Sequence, residues 1–284
     1  MPATHETGSC RSGDVTLAYR RFGKPGRTPI LIAHGLSYFS YDWIDVAARL
    51  AADREVVAMD MRGFGDSTWS TARDYGVPTM ALDIVALAGH LRWPKAVLIG
   101  HSMGGRNVAY CAAKHPTLAA GVVLVDYSPE HAPQGSKRVT DAIAGLPDFF
   151  PSVAAAMRYF GVDPESPAGA AKRARFEAYL RAVPDGFQVK RDFHFRDQFR
   201  RVRETGERPK LGVDMWQVLG ELRCPALVLR GAESDMFAPE TIAKVTAANP
   251  GLRVVEVAGG HNIAGDNPEG LIAAVRPFLA QLEA

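Results

Sequence analysis

Short apolar runs recur along the chain, and stretches with apolar residues at helical spacing separate them. Pro29-Ile30-Leu31-Ile32-Ala33 is followed by the helical pattern of residues 43–50. The run 55–59 precedes a helical pattern over about 80–91, and 96–99 precedes one over about 104–114, after which comes Gly121-Val122-Val123-Leu124-Val125. Much later the rhythm resumes, with an apolar run at 225–230, a helix at about 240–248, a run at 253–257 and a last helix at about 269–282. Strands alternating with helices predict an α/β fold: a mostly parallel sheet of about eight strands covered by helices on both faces. The start differs. Ser12-Gly13 reads as a turn before Val15-Thr16-Leu17-Ala18-Tyr19, which predicts an antiparallel hairpin at one sheet edge.

Between about 128 and 212 the alternation stops. Pro129, Pro133, Pro147, Pro151, Pro164, Pro167, Pro184 and Pro209 punctuate helix-like pieces rich in Ala, Arg and Phe, and no strand pattern is convincing. This predicts a helical cap domain, residues 128–212, inserted after the sixth strand into a core domain made of residues 1–127 and 213–284.

Composition narrows the class. A chain of 284 residues with 47% apolar content can bury a large core. A net charge of +2 gives no case for a nucleic-acid or membrane-surface partner. No apolar run approaches the roughly 20 residues of a membrane span. The start, Met1-Pro2-Ala3-Thr4-His5-Glu6, lacks the apolar stretch of a secretory signal. Cys10, Cys111 and Cys224 are far apart and have no metal-ligand spacing, which suggests free thiols in a reducing compartment. The expectation is a cytoplasmic protein, monomer or homodimer, acting on a small molecule. No HExxH, P-loop or dinucleotide glycine pattern occurs, so no metal or cofactor is expected.

One stretch carries chemistry. In Ile99-Gly100-His101-Ser102-Met103-Gly104-Gly105 a strand runs into a helix through a tight corner, with a serine at its apex. Glycines on either side let strand and helix approach, so Ser102 projects at the carboxyl edge of the sheet, where open α/β sheets bind ligands. The next N–H, on Met103, lies at a helix N-terminus and suits an oxyanion. A nucleophilic serine needs a base, and the base needs an acid to orient it. Of eight histidines only His261, in Gly259-Gly260-His261-Asn262, follows a strand in a glycine-rich loop. His34 reads as a loop-shaping residue. Between Ser102 and His261, the stretch Gly231-Ala232-Glu233-Ser234-Asp235 offers a carboxylate past another strand. The expected order is Ser102, Asp235, His261. The rival acid is Asp126, in Val125-Asp126-Tyr127-Ser128, otherwise a loop-fixing carboxylate, and Glu233 is a minor contender.

These motifs together resemble the α/β-hydrolase superfamily. His34-Gly35-Leu36 is similar to its His-Gly-X loop, 60–67 to its D-x-R-G-x-G-x-S loop, 100–105 to its nucleophile elbow, and 231–235 and 260–262 to its acid and histidine loops. The resemblance implies a second oxyanion N–H from Leu36, structural roles for Asp60, Arg62 and Asp66, and, in some members, an acid at the position of Asp126. A serine at the elbow speaks against the dehalogenases and epoxide hydrolases of the superfamily, which carry Asp there. The implied activity is hydrolysis of a carboxylic ester or lactone of a small, largely hydrophobic substrate through an acyl-enzyme. The alternatives are hydrolysis of a carbon–carbon bond in an aromatic ring-cleavage product, or a slow-turnover small-molecule receptor. Tyr38, Phe39 and Tyr127 are candidate pocket residues. Residues 172–210 hold twelve Lys or Arg against six Asp or Glu. That surplus reads as solvated helix faces, with attraction of an acidic substrate or carrier as the other reading.

Overall fold

A computed structural model describes residues 4–284. The elements follow the expected alternation. A hairpin of β1 (Glu6–Ser12) and β2 (Val15–Phe22) leads into β3 (Arg27–Ala33), α1 (Ile44–Leu50), β4 (Arg54–Met59), α2 (Val77–His90), β5 (Ala96–His101), α3 (Met103–Lys114) and β6 (Ala119–Val125). The inserted segment contributes α4 (Pro133–Ala144), α5 (Val153–Tyr159), α6 (Pro167–Tyr179), β7 (Leu180–Val183), β8 (Gly186–Val189) and α7 (Phe193–Thr205). The chain closes with α8 (Met215–Glu221), β9 (Ala226–Gly231), α9 (Thr241–Ala248), β10 (Leu252–Val257), α10 (Ile263–Asp266) and α11 (Pro268–Gln281).

Among the described residues, eight strands form one sheet in the order β1-β2-β4-β3-β5-β6-β9-β10. The β1–β2 and β2–β4 pairings are antiparallel and every other pairing is parallel. Successive side chains on a strand point to opposite faces, so each apolar run feeds two cores at once. Leu31, Val57, Leu98, Val122 and Val228 pack under α2, α3 and α8. Their neighbours Ile30, Ile32, Val56, Val97, Val123 and Leu227 pack under α1 and α11. That is why these runs are continuously apolar rather than alternating.

The inserted segment departs from the expectation in one respect. Antiparallel β7 and β8 form a separate two-stranded sheet, joined by Pro184-Asp185. The signal was Val183-Pro184-Asp185-Gly186, where proline presets one turn angle and Gly186 adopts a φ of 137°. The segment has its own apolar cluster: Leu146, Phe150, Ala156, Met157, Phe176, Tyr179, Leu180 and Val189 gather around Phe39 from the β3–α1 loop.

Candidate active site

The corner at Ser102 has the strained geometry that its sequence requires. Ser102 has a φ of 51° and a ψ of −115°, a conformation that L-residues avoid. Its amide donates to the Val125 carbonyl at 3.0 Å, and its carbonyl accepts from Arg106 at 3.1 Å. The close approach explains the glycines. A Cβ on Gly100 would lie 2.4 Å from the Gly104 oxygen, and one on Gly104 would lie 2.2 Å from the Ala33 oxygen.

Ser102 opens onto a cavity of about 710 Å³, lined also by Leu36, Tyr38, Met103, Tyr127 and His261. The cavity sits at the carboxyl ends of β3, β5 and β6, with walls from the inserted segment that include His131, Arg138, Phe195 and Phe199. Met103 begins α3, so its N–H is among those a helix leaves without an internal partner. The loop bearing Leu36 is held from three sides. Tyr38 N–H donates to the Gly35 carbonyl at 3.1 Å, and buried Arg191 donates to the Leu36 carbonyl at 3.2 Å. Gly35 lies so close to the His101 ring that a Cβ there would be 2.6 Å from Nδ1.

The expectation for the acid requires correction. His261 Nδ1 lies 2.6 Å from Asp126 Oδ2. Asp126 is fully buried and takes two further bonds, from the Gly231 N–H at 2.8 Å and the Ser234 hydroxyl at 2.5 Å. Its φ of 45° turns it off the end of β6, and its own amide donates to the Leu229 carbonyl at 2.7 Å. Asp235 does not meet His261. Arg138 of α4 grips it through two bonds, at 2.6 and 2.8 Å, and holds its carboxyl below the usual range. The physical reason is the tight turn after β9. Ser234 N–H bonds back to Gly231, so Ser234 faces Asp126 while Asp235 turns out toward α4.

The other histidines have defined places. His101 Nε2 donates to the His261 carbonyl at 2.8 Å and so anchors the histidine loop from below. His34 accepts from the Met61 N–H at 3.0 Å and donates to the Gly35 carbonyl at 2.8 Å. Burial lowers the pKa of His34 to about 4 and depresses that of His101 well below the ordinary value. Both are therefore neutral at pH 7.

Asp60 ties loops together, accepting from the Ser40 and Asp66 amides at 2.7 and 2.9 Å. Buried Arg62 forms a two-bond pair with Asp83 of α2, at 2.6 and 2.7 Å. Neither Asp60 nor Arg62 lines the cavity. Tyr38 and Tyr127 do. Phe39 does not: it is fully buried in the cluster of the inserted segment, stacked on Tyr41, so its place as a pocket residue is withdrawn. Sequence reasoning missed Ser234, Arg191 and Arg106. A hydroxyl beside a suspected acid was the available hint for the first. Arg106, one turn beyond Ser102, was the hint for the last.

Comparisons with known proteins agree with this architecture. The model of the alpha/beta hydrolase fold family matches residues 28–268. A 3-hydroxybutyrate-oligomer hydrolase of Cupriavidus necator is 31% identical over 256 residues, 85% of each chain. An N-formylmaleamate deformylase of Pseudomonas putida is 29% identical, covering 96% of each chain. The crystal structure of an E-2-(acetamidomethylene)succinate hydrolase superposes with a TM-score of 0.83 at 26% identity, over 98% of this chain and 100% of that one. With the family model matching most of its length, the chain belongs to the alpha/beta hydrolase fold family.

Proposed function

We propose that the protein is a serine hydrolase in which Ser102 attacks a carbonyl carbon, His261 takes the serine's proton and Asp126 orients the imidazole. The observation that supports this most is the 2.6 Å contact between His261 Nδ1 and a buried carboxylate, beside a serine on a strained corner in the same cavity. A proton on Nδ1, donated to Asp126, leaves Nε2 as the base. The carboxylate also favours the imidazolium that forms as the serine attacks. The Ser234 and Gly231 donors fix the Asp126 carboxylate in place.

The N–H groups of Leu36 and Met103 receive the developing oxyanion. Collapse of the tetrahedral intermediate expels the leaving group, protonated by His261, and forms an acyl-enzyme. Water deprotonated by His261 then releases the acid. Residues 128–212 act as a cap over the serine and shape the acyl and leaving-group sites. The favoured bond is a carboxylic ester or lactone, in keeping with a relative named for hydrolysing hydroxybutyrate oligomers. A second reading is an N-acyl bond, which the relative named as an N-formylmaleamate deformylase supports. The triad chemistry is the same for both.

The test is steady-state hydrolysis of nitrophenyl esters of graded acyl length by the wild type and by Ser102→Ala. The wild type turns over many times, and the variant loses about 10⁵-fold in kcat. A folded wild type that hydrolyses no member of the series, or a variant that keeps its rate, overturns the reading.

A further inference from the structure

The cavity carries a charge that the triad does not use. Arg106 projects from α3 four residues after Ser102, about 6 Å along the helix axis, and lines the same cavity. Its guanidinium has no ion-pair partner among the described residues; its one hydrogen bond is a long one from Nε to the neighbouring Asn107 amide oxygen, at 3.4 Å. Beside it stands Tyr127, 4% exposed, also lining the cavity, whose hydroxyl is buried without any hydrogen-bond partner. Among the described residues Arg191 is another buried guanidinium without a carboxylate, but it lies outside the cavity lining and gives a bond to the Leu36 carbonyl, whereas several other arginines with little exposure are matched by carboxylates. Arg62 holds Asp83, Arg175 holds Asp42 and Arg230 holds Glu256. Arg138, also in the wall, is neutralised by Asp235. Arg73, Arg208 and Lys210 complete the basic lining, against Asp74 as the one carboxylate among the lining residues.

Leaving a guanidinium and a phenol partly desolvated and unpaired is unfavourable unless a ligand supplies the partner. A carboxylate supplies both bonds: two acceptor oxygens suit a guanidinium fork and a phenolic donor. We propose that Arg106 and Tyr127 form a carboxylate-binding subsite, so that the substrate of this hydrolase is an anionic acyl compound whose free carboxylate is a few carbons from the scissile carbonyl. This rests on the serine-hydrolase reading for the position of the scissile bond, but the subsite itself is a matter of binding. Burial without a counter-charge lowers the pKa of Arg106 and raises that of the Tyr127 phenol, as expected of groups awaiting an anion. The subsite differs from the expectation of a largely hydrophobic substrate, because it adds a carboxylate to what the cavity would take.

Two matched ester pairs test the proposal. Monomethyl glutarate carries its carboxylate on the acyl side, with methyl pentanoate as its neutral partner. 4-Acetoxybutanoate carries it on the alcohol side, with butyl acetate as its neutral partner. For at least one pair the wild type shows a kcat/KM ratio of anionic to neutral ester of 100 or more. Arg106→Met lowers that ratio at least 100-fold, and Arg106→Lys restores part of it. Tyr127→Phe, which removes a hydroxyl with no partner to lose, lowers the ratio severalfold in a folded protein. Calorimetric binding of monomethyl glutarate and of glutarate to Ser102→Ala, with and without Arg106→Met, reads the subsite without turnover. Hydrolysis that favours neutral esters in both pairs, or losses equal on both members of a pair, overturns the subsite and leaves the hydrolase standing. Binding of the anions that depends on Arg106, with no ester turned over by the wild type, keeps the subsite and overturns the hydrolase reading instead. Esters turned over with no anion bound overturn the subsite alone.

Discussion

At the scale of single residues, the arrangement turns on which of two aspartates faces His261. Asp126 and Asp235 follow neighbouring strands, β6 and β9, so position in the fold alone does not separate them. What separates them is a backbone rotation and a distant arginine. The φ of 45° swings Asp126 inward, and Arg138, 97 residues away in the chain, holds Asp235 outward. Asp126→Asn is expected to lower kcat about 10⁴-fold, by favouring the wrong imidazole tautomer. Asp235→Asn is expected to change kcat less than about tenfold, and stability by no more than about 1 kcal/mol, because its ion pair is open to solvent. Parallel kinetics and urea titrations of the two variants check this, and the opposite ranking would restore Asp235. Ser102, His261 and both candidate acids were legible in the sequence because a serine between glycines and a histidine after a strand are local signals. The choice of acid was not, because a positive φ at a non-glycine residue and a partner on an inserted helix leave no local trace.

At the scale of elements, the strands and helices of the sheet follow from periodicity, and observed ends differ from expected ones by a few residues. β7 and β8 were missed because each holds only four residues, too few for an alternation to stand out, although the Pro-Asp-Gly turn marked the reversal. The elbow shows how strictly one element can constrain another. Gly104→Ala would set a methyl 2.2 Å from a backbone oxygen of β3, which cannot move without shifting the sheet. That variant is expected to be destabilised by about 3 kcal/mol or to fail to fold. The same substitution at exposed Gly89, in α2 with nothing within 4 Å of the added methyl, is expected to stabilise by about 0.5 kcal/mol. Thermal melts of the two variants should therefore move in opposite directions. Equal shifts would refute the steric account of the elbow.

At the scale of the whole molecule, buried neutral imidazoles couple folding to pH. His34 has a pKa of about 4 in the fold, against 6.5 when solvated. Between those values the unfolded chain takes up a proton that the folded one refuses, so stability falls as pH drops from about 6.5 toward 4. For His34 alone the loss is about 3 kcal/mol. Urea midpoints measured from pH 7.5 to 4 should decline more steeply for the wild type than for His34→Gln. Parallel curves would show that His34 takes no part. The acid side of any activity profile then reflects both catalysis and folding, and midpoints measured at the same pH values separate them.

Phe39 belongs by chain to the sheet and by packing to the inserted segment, and Arg175 of α6 reaches back to pair with Asp42 and lie over the Tyr179 ring, 4.7 Å from its centroid. For protein engineering, this sets where a chimaera can be cut. A segment transplanted from a relative at residues 128 and 212 would arrive without the aromatic plug around which its own interior closes. It would also present a foreign face to the loop that carries Leu36. A workable graft must exchange residues 37–42 along with the segment. The two stretches are a single heritable unit divided by nearly ninety residues of intervening chain, and substrate range in such chimaeras should follow the pair rather than either part.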